Sequence, residues 1–179
     1  MACHRTITCA IVHTPIGKLH LFACTAGLHE VCLAQSTITD NFTSVEEKLQ
    51  LVVMETKDVS NKVLQESFIW LQMYFAREKA RMMPPLCMST ASGDESFMVK
   101  CWKTLEEQVP FGRTVTYGLL AGMTDRPKAA RAVGQAMRRN KWILFVPCHR
   151  VMRSDGSLGQ YSGGGITVKR WLIDFEKSG

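Results

Sequence analysis

No apolar run in the 179 residues approaches the roughly 20 that a membrane-spanning helix needs. The N-terminus also lacks the charged-then-apolar order of a signal peptide, so the sequence reads as soluble and intracellular. No internal repeat or low-complexity segment organises it. The seven cysteines (Cys3, Cys9, Cys24, Cys32, Cys87, Cys101, Cys148) are odd in number, with no close pairing and no CxxC. They read as reduced thiols rather than a disulfide framework, and the expected compartment is a reducing one. Acidic side chains are outnumbered, 16 Asp and Glu against 22 Lys and Arg, giving a net charge of +6 and a pI near 9.0. That balance favours an anionic partner, nucleic acid or a membrane surface, although a generally basic surface would look the same.

What is present is ordinary for a globular protein: 46% hydrophobic and 21% charged residues, in a chain long enough for one large domain or two small ones. Thr6 to Val12 and Lys18 to Ala23 are β-rich, with Pro and Gly placed for a turn in Thr14-Pro15-Ile16-Gly17, which predicts a hairpin. A third strand is expected around Glu30 to Leu33 and a polar loop from Thr37 to Ser44. After Ser60, a candidate N-cap, Leu64, Phe68, Leu71 and Phe75 trace an amphipathic helix expected to pack on the sheet. Arg77 to Asp94 holds Pro84-Pro85 and no sustained period, so the domain boundary is placed near residue 90.

Further on, Phe97, Cys101, Trp102, Leu105 and Val109 mark one face of a helix that Pro110 ends before a Phe111-Gly112 turn. Thr116 can cap a short helix, Tyr117 to Ala121. After Gly122-Met123-Thr124, Asp125 and Pro127 open another helix running to Arg139. Two short helices so joined suggest a helix-turn-helix. Ala129, Val133, Ala136 and Met137 should face the core, with Arg131, Gln135 and Arg138 on a narrow positive outer face beside the small Ala132 and Gly134. A solvated basic helix would read identically. The last helix, Thr167 to Lys177, buries Val168, Trp171, Leu172 and Phe175 and leaves Glu176 at the stripe's margin.

The chemistry concentrates in Val146-Pro147-Cys148-His149-Arg150-Val151, behind the apolar run Ile143 to Val146. A thiol attacks only as thiolate, and a free cysteine of pKa ~8.5 is mostly protonated at neutral pH. The adjacent imidazole and the charge of Arg150 are therefore candidate activators of Cys148, with Glu176 a candidate partner to fix His149. On the dipeptide alone a buried structural cysteine at the end of a core strand is the favoured reading, and a cysteine hydrolase would use the same pair. Cys24 and His29, with Cys3, His4 or Cys87 conceivably near, could hold zinc, although the spacing is no recognised knuckle.

Together these motifs resemble the O6-alkylguanine-DNA alkyltransferases, also called methylated-DNA–protein-cysteine methyltransferases. The residues that carry the likeness are Pro147-Cys148-His149-Arg150-Val151, the helix from Lys128 to Gly134, Asn140, Tyr161-Ser162-Gly163-Gly164, and Trp171-Leu172 with Glu176. It is strong from Phe97 onward and weaker over Thr14 to Leu19 and Gly27 to Glu30. The resemblance implies an RNase H-like α/β domain (1–90) followed by a mostly helical domain (91–179) holding the helix-turn-helix and the thiol.

It also implies direct-reversal repair of double-stranded DNA, read through the minor groove with the O6-alkylguanine flipped out. Cys148 would accept the alkyl group irreversibly, with O4-alkylthymine left open as a second substrate. By the same resemblance His149 deprotonates Cys148 through a water, Glu176 orients His149, Tyr117 hydrogen-bonds guanine N3, and Asn140 ties the recognition helix to the active-site segment. Arg131 fills the space of the flipped base, with Ala130, Gln135, Tyr117 and Ser162 as further DNA contacts. Val151, Tyr161, Ser162 and Gly163 would line the substrate pocket. Lys141 to Ile143 is expected to form a pocket wall of altered shape. No cofactor is required and no metal ligand is assigned; a structural zinc is left open, with Cys24 and His29 the best candidates, since Arg5 and Pro85 occupy the other neighbourhoods. The expected state is a monomer without membrane contact, nuclear in a eukaryote and cytoplasmic otherwise.

Overall fold

The computed structural model describes residue 3 and residues 5–38, 53–56, 60–78, 82–88 and 95–178. Two compact units divide the chain, Met1–Ala91 and Ser92–Gly179. The first is a four-stranded antiparallel sheet in the order β3-β2-β1-β4, formed by β1 (Thr8–Thr14), β2 (Gly17–Cys24), β3 (Gly27–Ser36) and β4 (Val53–Thr56), with helix α1 (Lys62–Phe75) packed on it. The β1–β2 hairpin turns where Pro and Gly predict it, and Thr14 Oγ1 closes the turn by donating to Gly17 O at 2.8 Å. Alternation puts Ala10, Val12, Leu19, Leu21 and Ala23 into the core.

β3 is longer than expected, ten residues. β4 is not legible in the sequence, because four residues on a sheet edge are too few to display a period of two. Of the expected loop from Thr37 to Ser44, residues 39–44 lie outside the described residues. Helix α1 is capped not by Ser60 but by Asn61, whose Oδ1 accepts from Leu64 N at 3.1 Å, a cap worth about 1 kcal/mol. Its buried stripe runs through Val63, Leu64, Ser67, Leu71, Tyr74 and Phe75, leaving Phe68 half-buried.

Residues 85–87 dock beside the start of β3, with Pro85 O accepting from Leu28 N at 2.7 Å and Cys87 N donating to Leu28 O at 2.8 Å. Gly27 permits this approach, since a Cβ there would stand 2.7 to 2.8 Å from the backbone of Pro85, Leu86 and Cys87.

The second unit is mostly helical. α2 (Glu95–Gln108) buries Phe97, Cys101, Trp102 and Leu105, as their spacing predicts. A two-stranded parallel pair, β5 (Val115–Thr116) and β6 (Val151–Met152), brings the segment after the Cys-His pair beside α3 (Tyr117–Met123). Thr116 caps α3, accepting from Leu119 N at 3.1 Å.

α4 (Ala130–Arg138) starts later than Asp125 and Pro127 suggest. Asp125 has a left-handed backbone, φ 61°, and turns closed by Arg126 N to Ala121 O and Ala129 N to Arg126 O fill 124–129. Val133, Ala136 and Met137 are buried against α2 and α3, and Trp102 Nε1 donates to Ala136 O at 2.9 Å. α5 (Gly165–Lys177) begins two residues before Thr167, after Gly164 in the left-handed region. Among the described residues no helix is long and apolar enough to cross a membrane. We expect Gly27→Ala to lower stability by about 2 kcal/mol or more, because backbone must move to admit the methyl group; an unchanged denaturant midpoint would contradict that.

Candidate active site

The apolar run before Cys148 is not a strand. It is a buried loop in which Val146 N donates to Trp142 O and Cys148 N to Val146 O, both at 2.8 Å, and Leu144 holds φ 72°. A left-handed leucine costs on the order of 1 kcal/mol and persists only where its surroundings determine it. Asn140 is the brace. Its Oδ1 accepts from Trp142 N at 2.9 Å, while Nδ2 donates to Val146 O at 2.9 Å and to Cys148 Sγ at 3.0 Å. Trp142 therefore points into the core, edge-on to Trp102, and is fully buried. Lys141 to Ile143 thus supplies none of the residues lining the cavity at Cys148, contrary to expectation.

Pro147 ends this loop, and Cys148–Arg150 make one 3-10 turn that buries all three side chains. His149 Nε2 meets Glu176 Oε1 at 2.8 Å. A carboxylate can only accept, so Nε2 carries the proton and Nδ1 is the bare, proton-accepting nitrogen. Nδ1 is buried and has no hydrogen-bond partner among the described residues.

Arg150 does not activate Cys148. It grips Glu176 through Nε to Oε2 (2.9 Å) and Nη2 to Oε1 (3.0 Å), and its Nη1 donates to Val109 O at 2.7 Å. Gly112 N adds a fourth donor to Glu176 at 3.2 Å, and its φ of 78° sets the Phe111-Gly112 turn against α5. Burial alone would raise the Glu176 carboxyl, but His149 and Arg150 hold it well below the usual carboxylate range. Burial pushes the His149 imidazole down despite Glu176. The ring is neutral, and Arg150 is the cation that balances Glu176.

The cation near the sulfur is Lys169, which sequence reasoning missed. Its buried Nζ donates to Val151 O at 2.7 Å and to Leu158 O. Burial lowers its pKa to about 8, and a negative charge on Cys148 works the other way. The signal was present: Lys169, Leu172, Ile173 and Glu176 share one face of α5 at i, i+3, i+4 and i+7, and all are buried. Burial pushes the Cys148 thiol up to about 11, with Asn140 and then Lys169 pulling the other way. The resting group is therefore the thiol.

Cys148 opens on a cavity of about 780 Å³ lined also by Tyr117, Ala130, Arg131, Gly134, Met137, Arg138, Arg153 and Tyr161, with Ser162 on the Gly-rich loop. Of the expected site residues, Cys148, Tyr117, Ala130, Arg131, Tyr161 and Ser162 meet there. Asn140, His149 and Glu176 sit behind the sulfur. Arg131, Gln135 and Arg138 are exposed on α4 as expected; Arg131 and Arg138 line the cavity with Ala130, Gly134 and Met137, and Gln135 does not. Val151 and Gly163 are buried outside the lining, where Val151 O serves Lys169 and Gly163 lies against the ring of Tyr161.

In the first unit, Cys3, Cys24, His29 and Cys87 bring one donor atom each to within 4.8 Å of one another. Cys3 Sγ lies 3.8 Å from Cys24 Sγ, which lies 4.0 Å from Cys87 Sγ. Ligands about 2.3 Å from a tetrahedral zinc stand roughly 3.8 Å apart, so this donor set fits that ion. His29 Nε2 is buried with no hydrogen-bond partner among the described residues, as an unused ligand atom would be. The pairing of residues 85–87 with Leu28 delivers Cys87, a long-range effect invisible in local spacing. Arg5 and Pro85 are not part of the set, and His4 lies outside the described residues.

Residues 7–86 match the family model described as 6-O-methylguanine DNA methyltransferase, ribonuclease-like domain, and residues 96–178 match the DNA binding domain of the same family. A methylated-DNA–protein-cysteine methyltransferase of Mus musculus is 38% identical over 93% of this chain and 80% of its own length. The constitutive enzyme of Bacillus subtilis is 33% identical over 92% of each. The crystal structure of Mycobacterium tuberculosis OGT in complex with DNA superposes with a TM-score of 0.71, at 32% identity over 94% of this chain and 91% of that one.

The thiol's environment sets a pH expectation. Ultraviolet titration should show the Cys148 thiolate forming near pH 11, as a step lost in Cys148→Ser, and Asn140→Ala should move that step higher still by removing its largest favourable contact. A Cys148 midpoint at or below the free-cysteine range would contradict it.

Proposed function

The chain belongs to the 6-O-methylguanine DNA methyltransferase family, and from that membership we propose that it repairs DNA by direct reversal, moving the alkyl group of O6-alkylguanine onto Cys148 once and irreversibly. The observation that carries this reading is a thiol at the wall of a cavity that is also lined by the cationic face of α4. A substituted guanine cannot present its O6-carbon while stacked, so it must leave the duplex, at a cost of a few kcal/mol that is smaller for a badly paired base. Arg131, on that face, fills the gap left behind. Ala130 and Gly134 beside it allow the close approach a minor groove demands.

In the reaction His149 Nδ1 takes the thiol proton through a water, and the sulfur attacks the alkyl carbon as the carbon–oxygen bond breaks. The bonding pair leaves on guanine, Tyr117 hydrogen-bonds N3 to ease that charge, and guanine then takes up a proton. The Ser162 amide faces O6. Asn140 and Lys169 favour the sulfur's anionic state. The product is guanine and a thioether, which has no easy route back, so each molecule acts once and needs no cofactor. One chain carries every group named, consistent with action as a monomer, in the nucleus of a eukaryote or the cytoplasm of a prokaryote. Cys3, Cys24, His29 and Cys87 would hold a structural zinc ion with no part in the transfer step.

Incubation with a duplex containing one O6-methylguanine should add one methyl group, mapped to Cys148 by peptide mass. Cys148→Ala should bind that duplex without any gain, and methylation elsewhere would overturn the assignment. Arg131→Ala should slow transfer from duplex by about ten- to a hundredfold while sparing free O6-benzylguanine, whereas equal losses on both would remove the gap-filling role. The purified protein should carry one zinc per chain, and chelation should lower its melting temperature while Cys87→Ser lowers metal content. A metal-free protein of unchanged stability would refute the zinc site.

A further inference from the structure

Arg153 is a cavity residue for which the mechanism above has no use. It lines the cavity at Cys148 and also a second one, of about 590 Å³, which shares Gly159 and Gln160 with the first. Its backbone is held by a tight turn: Arg153 N donates to Ser157 O at 2.9 Å, Gly156 N donates to Arg153 O at 3.1 Å, and Asp155 Oδ1 accepts from Ser157 N at 2.9 Å. The side chain returns over Gly159. The point where a Cβ on that glycine would sit is 3.6 Å from the Tyr117 hydroxyl oxygen and 3.7 Å from Arg153 Nε, so hydroxyl and guanidinium converge on one spot at the cavity wall.

We propose that Arg153 is a positioning residue that acts through Tyr117, placing a fixed positive charge behind the phenol that receives the leaving guanine. The proposal rests on the reading of Tyr117 at guanine N3. When the carbon–oxygen bond breaks, negative charge spreads into the purine and is passed in part to the hydroxyl that donates to it. A cation beyond that hydroxyl stabilises the charge as it develops and does little for the neutral ground state, which is the condition for accelerating the step. The surroundings make such help useful. Burial and then the charge of Cys148 both make Tyr117 harder to ionise and a weaker donor, and Arg153 opposes them. Asp155 shares part of the Arg153 charge from the exposed side of the turn. The guanidinium is exposed, so the effect is modest.

The two ends of the substrate separate this role from plain DNA binding, because free O6-benzylguanine has the leaving group and no phosphates. Arg153→Gln should slow alkyl transfer from the free base and from duplex alike, by about three- to tenfold, and Arg153→Lys should restore most of the loss. In a Tyr117→Phe background the Arg153→Gln loss should vanish, which a structural fault in the turn would not produce. A loss confined to duplex, with a shallower salt dependence of binding, would make Arg153 a phosphate contact and overturn the proposal. So would a loss that persists without the hydroxyl. If Tyr117→Phe alone leaves the rate unchanged, the fault lies in the reading of Tyr117 rather than in Arg153 alone.

Discussion

The buried carboxylate of Glu176 is the interaction on which the site depends. Taking a carboxylate out of water costs several kcal/mol, and only well-aligned donors offset it. Here four do: His149 Nε2, two arms of Arg150, and Gly112 N. They come from the 3-10 turn after Pro147 and the turn after α2, so one side chain on α5 ties three segments together. The pairing also decides protonation. Were His149 the sole partner, the imidazole would be pressed to become the cation. Arg150 takes that part, the ring stays neutral, and Nδ1 is left able to accept a proton.

That division of labour explains why a thiol with a raised pKa is no contradiction. A sulfur held as an exposed thiolate would be open to oxidation and stray electrophiles. In the proposed reaction a buried thiol, bonded by Asn140 and stabilised as an anion by the charge of Lys169, gives up its proton when a base is aligned and a carbon stands ready. Lys169 holds the carbonyls of Val151 and Leu158, so the cation that favours the thiolate also ties β6 to the loop leading to Gly159 and Tyr161.

Much of this was legible in the sequence where chemistry and period are local. The β1–β2 turn, the Thr116 cap, the face of α2 and the Cys-His pair were all read from neighbouring residues. Errors arose where a tertiary partner decides the outcome. Ile143 to Val146 looks like a strand because it is apolar, yet Asn140 bends it into a loop. Arg150 sits next to His149 and seemed placed for Cys148, yet α5 captures it. The wheel of α4 was read correctly, with Val133, Ala136 and Met137 buried and Arg131, Gln135 and Arg138 exposed, but which of the outer residues line the cavity was not legible from it. The thiol cluster was partly legible: Cys24 and His29 were named with Cys3, His4 or Cys87 as partners, but only the fold, not spacing, selects Cys3 and Cys87.

The central claim is that one sulfur accepts one alkyl group and is then spent. A fixed amount of protein mixed with a large excess of duplex bearing radiolabelled O6-methylguanine tests it most directly. Label on the protein should rise to one group per molecule and stop, with no label released as methanol. Continued loss of lesion beyond that equivalence, with unmodified protein recovered, would mean true turnover and would contradict the account.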